Sequence, residues 1–253
     1  MANGAIIYEG KSTIDGTPLI VIATGLKATS RNAKTGNLVQ TWILRADIEP
    51  TRAVQTGADS AICGSCPHRG EIVNGRNVNR SCYVTVFKAP LNIWRTAQRG
   101  QYPRVKRDNA VELFAGRNVR LGAYGDPAAI PFHVWNRLLS QSARGTGYTH
   151  LWQNCDTRFA RYCMASADSA QEAQEAQALG YRTFRVGSHA ESLARGELLC
   201  PASKEAGHKL NCSSCLACGG TSSPNKSSVF IPAHGMTAKI QAFEKRTGQG
   251  VAM

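Results

Sequence analysis

Short apolar runs separated by turn residues mark the first part of the chain. Apolar stretches at 6–8 and 19–23 flank the pair Asp15-Gly16, which is typical of a hairpin turn. A third apolar stretch follows at 38–44. The pattern therefore predicts a hairpin and one further strand before the middle of the chain.

Beyond residue 80, strand-like and helix-like apolar patterns alternate. The clearest helix is 169–179, where Ser169 can cap the N-terminus, Ala, Gln and Glu favour helix, and Gly180 ends it. Alternating strands and helices are typical of βαβ units, which build a parallel sheet. We therefore predict an α/β fold with a parallel-sheet core, either open or curved into a partial β/α-barrel, with functional groups after the strand C-termini. The other predicted elements are strands at 118–123, 147–152, 163–166, 182–186, 198–200 and 229–232, and helices at 131–142 and 157–162.

The same patterns divide the chain into three parts. Residues 1–58 are predicted to form an N-terminal β-rich segment, and 59–235 the α/β core. Within the core, 200–220 is predicted to be a Cys-rich metal-binding loop. Residues 236–253 are expected to form a basic C-terminal helix or tail.

Charge adds a possible partner. The 253 residues include 30 Lys and Arg against 17 Asp and Glu, a formal net charge of +13. A basic surface of this size attracts polyanions, of which nucleic acid is the commonest. Because the basic residues are spread along the chain, a generally basic surface remains the alternative.

Cysteine usage and apolar content indicate a compartment. The N-terminus lacks the pattern of a signal peptide, and no stretch approaches the roughly 18 apolar residues that a membrane helix requires. The sequence therefore predicts no membrane association and a cytoplasmic location. In a reducing cytoplasm, clustered cysteines are metal ligands before they are disulfide partners.

A C-terminal group of cysteines is the strongest chemical signal. Three cysteines at CxxCxxC spacing precede a Gly-Gly pair, and a fourth lies upstream. Thiolates bind Zn(II) or iron–sulfur clusters, and the triple spacing favours a cluster over zinc without excluding zinc. His208 is an alternative or additional ligand. The C-terminal group consists of Cys200, Cys212, Cys215 and Cys218.

A first group of cysteines lies earlier in the chain. Cys63 and Cys66 form a CxxC pair, and Cys82 is close enough to be a third ligand. His68 is a possible fourth ligand; without it, three cysteines leave an open coordination position, as a catalytic metal or cluster requires. The remaining cysteines, Cys155 and Cys163, are predicted to be buried small hydrophobic residues.

Few other residues point to chemistry. The chain contains no GxxxxGK[ST], HExxH or GxSxG motif. Gly125 and Asp126 follow a predicted strand, so Asp126 is expected to be a catalytic or cofactor-binding residue or, alternatively, to cap the next helix. Tyr148 and His150 are weaker candidates for phosphotransfer.

These residues resemble the motifs of the radical S-adenosylmethionine enzymes. In that family three cysteines after the first strand of a full or partial β/α barrel hold a [4Fe–4S] cluster with one open iron. A Gly-Gly-Glu-Pro-like turn after the second strand contacts the cofactor. The resemblance implies that Cys63, Cys66 and Cys82 form the triad, that Gly125 and Asp126 belong to the turn, and that the C-terminal group is an auxiliary site. This sequence departs from the pattern in the fifteen-residue gap before Cys82 and in Asp126, which replaces Glu.

The motifs CxxC…CY and CPAS…CxxCxxCGG are also similar to those of uncharacterised phage and mobile-element proteins. Two hypotheses follow. The first is a phage or mobile-element protein that binds Zn or an Fe–S cluster and acts on or with nucleic acid. The alternative is an iron–sulfur enzyme, radical-SAM-like, with S-adenosylmethionine as its cofactor and an unidentified substrate.

Overall fold

A computed structural model describes residues 2–28, 32–188, 191–207 and 210–248. Its architecture is mixed α/β with N-terminal strands, as the sequence predicts. Its strands are β1 (Gly4–Lys11), β2 (Pro18–Thr24), β3 (Val39–Arg45), β4 (Glu71–Val73), β5 (Arg76–Val78), β6 (Asn118–Tyr124), β7 (Arg144–Thr146), β8 (Tyr148–Thr149), β9 (Met164–Ala167), β10 (Thr183–Gly187), β11 (Glu197–Leu199) and β12 (Ser228–Pro232). Its helices are α1 (Pro50–Thr56), α2 (Ser60–Cys63), α3 (Ala89–Gln98), α4 (Arg107–Glu112), α5 (Phe132–Leu138), α6 (Ala170–Ala178), α7 (Cys212–Cys215) and α8 (Thr237–Thr247).

The first sheet has the order β1-β2-β3-β6-β7. The predicted hairpin is confirmed, since β1 and β2 pair antiparallel, and β3 continues this pattern on the other side of β2. Strands β6 and β7 then add in parallel to β3. The parallel part begins at β3, and the loops after β3 and β6 therefore leave the same edge of the sheet.

The second sheet has the order β11-β12-β10-β9-β8, and every pair in it is parallel. Helix α6 connects β9 to β10 and packs on both strands, as expected for a βαβ unit. Ser169 caps this helix by accepting the backbone N–H of Glu172, and Gly180 follows its end with φ of 85°. The predicted parallel core is confirmed in this sheet.

A single glycine joins the two sheets. Gly147 separates β7 from β8, and a Cβ at this position would lie 2.9 Å from the Cys163 sulfur and 3.0 Å from the Tyr162 carbonyl oxygen. Its N–H donates to the Cys218 carbonyl (3.0 Å), and its own carbonyl accepts from Met164 of β9 (2.9 Å). Only a residue without a side chain allows this close approach.

Some predicted elements differ in length. The strand predicted at 147–152 is limited to β8 because the chain turns at His150, whose N–H donates to the Asp126 carboxylate (2.8 Å). The helix predicted at 131–142 is limited to α5, and 157–162 forms a short 3₁₀ segment. Contacts between residues that are distant in sequence determine where these elements end. The spacing of apolar residues along the chain does not predict such contacts.

The C-terminal part contains α8, while residues 249–253 of the predicted helix or tail lie outside the described residues. Among the described residues, no helix combines the length and apolar character that a membrane crossing needs.

Candidate functional site

Both cysteine groups line one cavity of about 670 Å³. This volume lies within the range of small-molecule sites. The cavity also contacts Gly125 and Asp126, so every site residue predicted from the sequence borders it. His208, the additional ligand considered above, lies outside the described residues. The lining cysteines are Cys63, Cys66, Cys82, Cys200, Cys212, Cys215 and Cys218.

The first cysteine group is held by a short helix and a buried ion pair. Cys63 ends α2, and the Cys66 N–H donates to the Cys63 carbonyl (3.1 Å) across the CxxC turn. Asp59, 1% exposed at its side chain, accepts from Arg69 at 2.8 Å. Arg69 also donates to the Gly64 carbonyl (2.9 Å) inside the turn. The CxxC turn is therefore fixed from both sides without using the sulfurs.

Burial dominates the electrostatics of this group. It raises the pKa of the Cys63 and Cys66 thiols, and nearby cysteines raise it further. Arg80 lies among them, 4.0 Å from the Asp59 carboxylate, and its Nη2 atom has no hydrogen-bond partner among the described residues. A raised pKa favours the protonated thiol, so metal binding at these cysteines must displace their protons.

Asp126 joins the first group to two strand ends. Its N–H donates to the Ile62 carbonyl (2.7 Å), next to Cys63. Its carboxylate accepts from the backbone N–H groups of Ala128 (2.9 Å) and His150 (2.8 Å). Burial raises the pKa of Asp126 to about 6, against the opposing effect of these hydrogen bonds. The described contacts are those of a cap, while the part of Asp126 in cofactor binding stays a prediction.

Gly125 lets the turn after β6 approach β3 closely. It has φ of 80°, and a Cβ would lie 2.7 Å from the Ile43 carbonyl oxygen. A side chain here would clash with backbone that cannot move independently. The glycine therefore sets how closely the turn that carries Asp126 approaches β3.

The C-terminal cysteine group is assembled from distant segments. Cys200 follows β11 and donates its N–H to the Phe230 carbonyl of β12 (2.8 Å). Cys212 starts α7 and donates its N–H to the Lys34 carbonyl (2.8 Å) in the N-terminal loop. Asn211 caps α7 through the N–H of Ser214. Cys218 is tied to Gly147 as described above, and Cys200 and Cys218 belong to one buried cluster against which Cys212 and Cys215 pack.

Positive charge lies beside this group. Lys34 and Arg120 are both close enough to lower the pKa of Cys212, although burial raises it overall. Burial raises the pKa of Cys218 to about 12. In the described part of the chain, Arg120 forms no ion pair with a carboxylate; it donates to the Tyr83 hydroxyl (2.7 Å), and its Nε atom has no partner. A partly buried guanidinium without a paired carboxylate is unfavourable, and deprotonated, metal-bound thiols would supply an anion.

The sulfurs are spaced more widely than one zinc ion requires. Tetrahedral zinc with Zn–S bonds of about 2.3 Å places its sulfurs about 3.8 Å apart. Among the described residues, no three cysteine sulfurs lie within 4.8 Å of one another. An iron–sulfur cluster contains several atoms between its thiolates, so it accepts a wider arrangement.

Two cysteines stay outside this cavity lining. Cys163 is fully buried behind Gly147. Cys155 is half-buried, and its sulfur lies 3.4 Å from the Tyr181 hydroxyl. The predicted burial is confirmed for Cys163, whereas Cys155 is only partly buried.

The structure brings together a third cluster of side chains, which the sequence did not predict as one site. His68, His150 and Asp168 each present one ligand atom, and these atoms lie within 4.8 Å of one another. Burial lowers the pKa of His150 to about 3, which keeps its imidazole neutral. His150 follows β8 and Asp168 follows β9, so their positions after parallel strands were the available signal.

Comparison with known proteins identifies no family for this chain. No family model matches the chain, and neither the curated proteins nor the solved structures contain a significant match.

Proposed function

We propose that this chain is an iron–sulfur enzyme of the radical-SAM-like kind, with its two sheets forming a partial β/α barrel. One observation carries the proposal: the Cys63, Cys66 and Cys82 group borders the same cavity as the Gly125-Asp126 turn. Cys63 and Cys66 lie in the connection that follows β3, Cys82 follows β5, and Gly125-Asp126 comes directly after β6; β3 and β6 are adjacent parallel strands. Ligands of α/β proteins bind at such strand ends.

The first group is the proposed catalytic centre. Three cysteine ligands leave one iron of a [4Fe–4S] cluster open, and such a cluster, when bound, supplies an electron and a coordination position for S-adenosylmethionine. The thiols of Cys63, Cys66 and Cys82 would hold the cluster, and they would have to lose their protons to do so. Arg80 would supply positive charge beside these thiolates, and its Nη2 atom, which has no hydrogen-bond partner among the described residues, would be a donor for a sulfur or a carboxylate.

The C-terminal group is the proposed Cys-rich metal-binding loop and auxiliary centre. Its four cysteines fill the usual coordination of a closed cluster or of a zinc ion. The CxxCxxC spacing supports a cluster, and Arg120 beside Cys212 is a counter-charge for thiolates in either kind of centre. A closed centre has a structural or electron-transfer role, since it has no position for a substrate.

The chain's own residues make the cavity suitable for an anionic ligand. Lys34, Lys204 and Lys239 line it together with Arg80 and Arg120. These side chains are expected to orient a carboxylate or phosphate of the cofactor or substrate.

A second candidate function is binding of nucleic acid by a phage or mobile-element protein. The observation that favours it is the net charge of +13. A cytoplasmic location is part of both proposals, because free thiols and clusters need a reducing compartment. Binding through phosphate contacts would weaken steeply as salt rises.

Cleavage of S-adenosylmethionine tests the enzyme proposal. Anaerobically reconstituted wild-type protein, reduced and supplied with the cofactor, is expected to cleave it, as is the matched control Cys155→Ala. Cys66→Ala and Cys82→Ala should abolish cleavage while remaining folded by circular dichroism. Wild-type protein that carries a cluster but neither binds nor cleaves the cofactor would refute the proposal. Salt-dependent binding of a DNA or RNA duplex to such protein would then support the second candidate.

A further inference from the structure

Three side chains from separate loops converge beside the first cysteine group. The Nε2 atom of His68 lies 3.1 Å from Oδ1 of Asp168. The ring of His150 meets the ring of His68 edge-on, with centroids 5.1 Å apart. Imidazole nitrogens and a carboxylate oxygen are the commonest non-thiolate ligands of transition metals in proteins.

Neighbouring residues orient these side chains. The Ser81 hydroxyl lies 2.7 Å from Nδ1 of His68, which turns Nε2 toward Asp168. Arg246 donates to Oδ2 of Asp168 at 2.8 Å, which leaves Oδ1 facing His68. Hydrogen bonds of this kind fix the direction of metal-binding side chains.

The separation of the two atoms fits a shared ion. Ligand atoms about 2.1 Å from a metal, at right angles to each other, lie about 3.0 Å apart. A proton between His68 and Asp168 would give a similar distance. The position of His150 favours the metal ion over the shared proton. An ion pair between His68 and Asp168 alone does not require a second imidazole within 4.8 Å. In the described part of the chain, no hydrogen bond occupies the His150 ring nitrogens.

We propose that His68, His150 and Asp168 bind one divalent transition-metal ion, separate from both cysteine groups. Two imidazoles and one carboxylate form a ligand set suited to Mn(II), Fe(II) or Zn(II), with further coordination positions open. Because His68 and His150 line the cavity, the open positions face it. A ligand with a carboxylate, phosphate or hydroxyl oxygen would complete the coordination.

This site goes beyond the proposed function and does not depend on it. Under the proposed function the cysteine groups would hold sulfur-bound iron, whereas this ion would be held by nitrogen and oxygen. Mn(II) separates the two cases because it prefers oxygen and nitrogen ligands to thiolates.

Titration of the protein with Mn(II) tests the proposal. The concentration of free Mn(II) is measured at each step from its electron paramagnetic resonance signal. Wild-type protein is expected to bind one Mn(II) per chain and to show a higher melting temperature when the ion is present. His150→Gln and Asp168→Asn should each weaken binding at least tenfold and remove this thermal shift. His133→Gln, which alters an exposed histidine of α5, and Cys63→Ala should bind Mn(II) like the wild type.

Several results would overturn the site. One is Mn(II) binding that is unchanged in both His150→Gln and Asp168→Asn. Another is binding lost in Cys63→Ala but retained in His150→Gln, which would place the ion on the cysteines. Failure of folded wild-type protein to bind Mn(II) would also be decisive. Circular dichroism of each variant establishes that it is folded, and the two variants act on different loops.

Discussion

The buried ion pair between Arg185 of β10 and Glu197 of β11 gives a quantitative test of how Cys200 is positioned. Both side chains are 2% exposed. The Glu197 carboxylate accepts from Arg185 Nε (2.8 Å) and Nη2 (2.7 Å), and from the Ala194 N–H (2.8 Å). Strand β11 leads directly into Cys200, so this pair secures the strand that delivers a predicted ligand.

Glu197→Gln removes the charge while keeping the shape. Breaking a buried pair by neutralising one partner costs about 3–5 kcal/mol. Glu191 also pairs with Arg185, which leaves the guanidinium one carboxylate. We therefore expect the unfolding free energy to fall by an amount at the lower end of this range, about 3 kcal/mol at neutral pH.

The pH dependence provides an independent check. Burial raises the pKa of Glu197, but the hydrogen bonds from Arg185 and from the Ala194 N–H, together with the charge of Arg185, outweigh it and lower the pKa below its ordinary value of 4.5. A carboxyl group whose pKa is lowered by folding stabilises the protein at pH values above its ordinary pKa. This stabilisation is lost as the pH falls through the pKa of the folded state. The difference in unfolding free energy between wild type and Glu197→Gln should therefore become smaller below pH 4.5.

Urea denaturation at several pH values measures both effects. The control is Glu9→Gln, which breaks a pair with Arg104 whose side chains are 65% and 47% exposed. Exposed pairs contribute at most about 1 kcal/mol. Equal losses in the two variants, or a gap that does not change with pH, would refute the reasoning.

Two other variants address the cavity. Gly125→Ala should destabilise the protein by about 1–3 kcal/mol through overpacking against Ile43, with a further cost for its positive φ. Gly100→Ala, at φ of 70° with no described atom within 4 Å of the new Cβ, should lose only the backbone contribution in the same urea assay; similar losses would contradict the packing argument. Arg120→Gln should lower the iron and sulfide retained per chain by metal analysis, because it removes a partly buried cation beside the thiols; unchanged retention would contradict that role.

Much of the fold follows from local sequence patterns. The Asp15-Gly16 turn predicts the hairpin, and the capping of α6 by Ser169 predicts its start. Alternating periods predict the parallel sheet in which β9, α6 and β10 form one unit. These features depend on neighbouring residues, so one sequence is enough to read them.

The assembly of the site depends on distant contacts. The bond from Cys212 to the Lys34 carbonyl brings together segments that no periodicity connects. The contact between His68 and Asp168 likewise spans 100 residues. Spacing predicts which cysteines belong together, but it gives no signal that both groups share one cavity.

The most direct test of the account is the iron and acid-labile sulfide content of anaerobically purified protein. We predict two clusters in the wild type, loss of one in Cys63→Ala, loss of the other in Cys215→Ala, and full content in the control Cys163→Ala. Zinc alone, lost with Cys215 but not with Cys63, would contradict the iron–sulfur account and leave a single metal site.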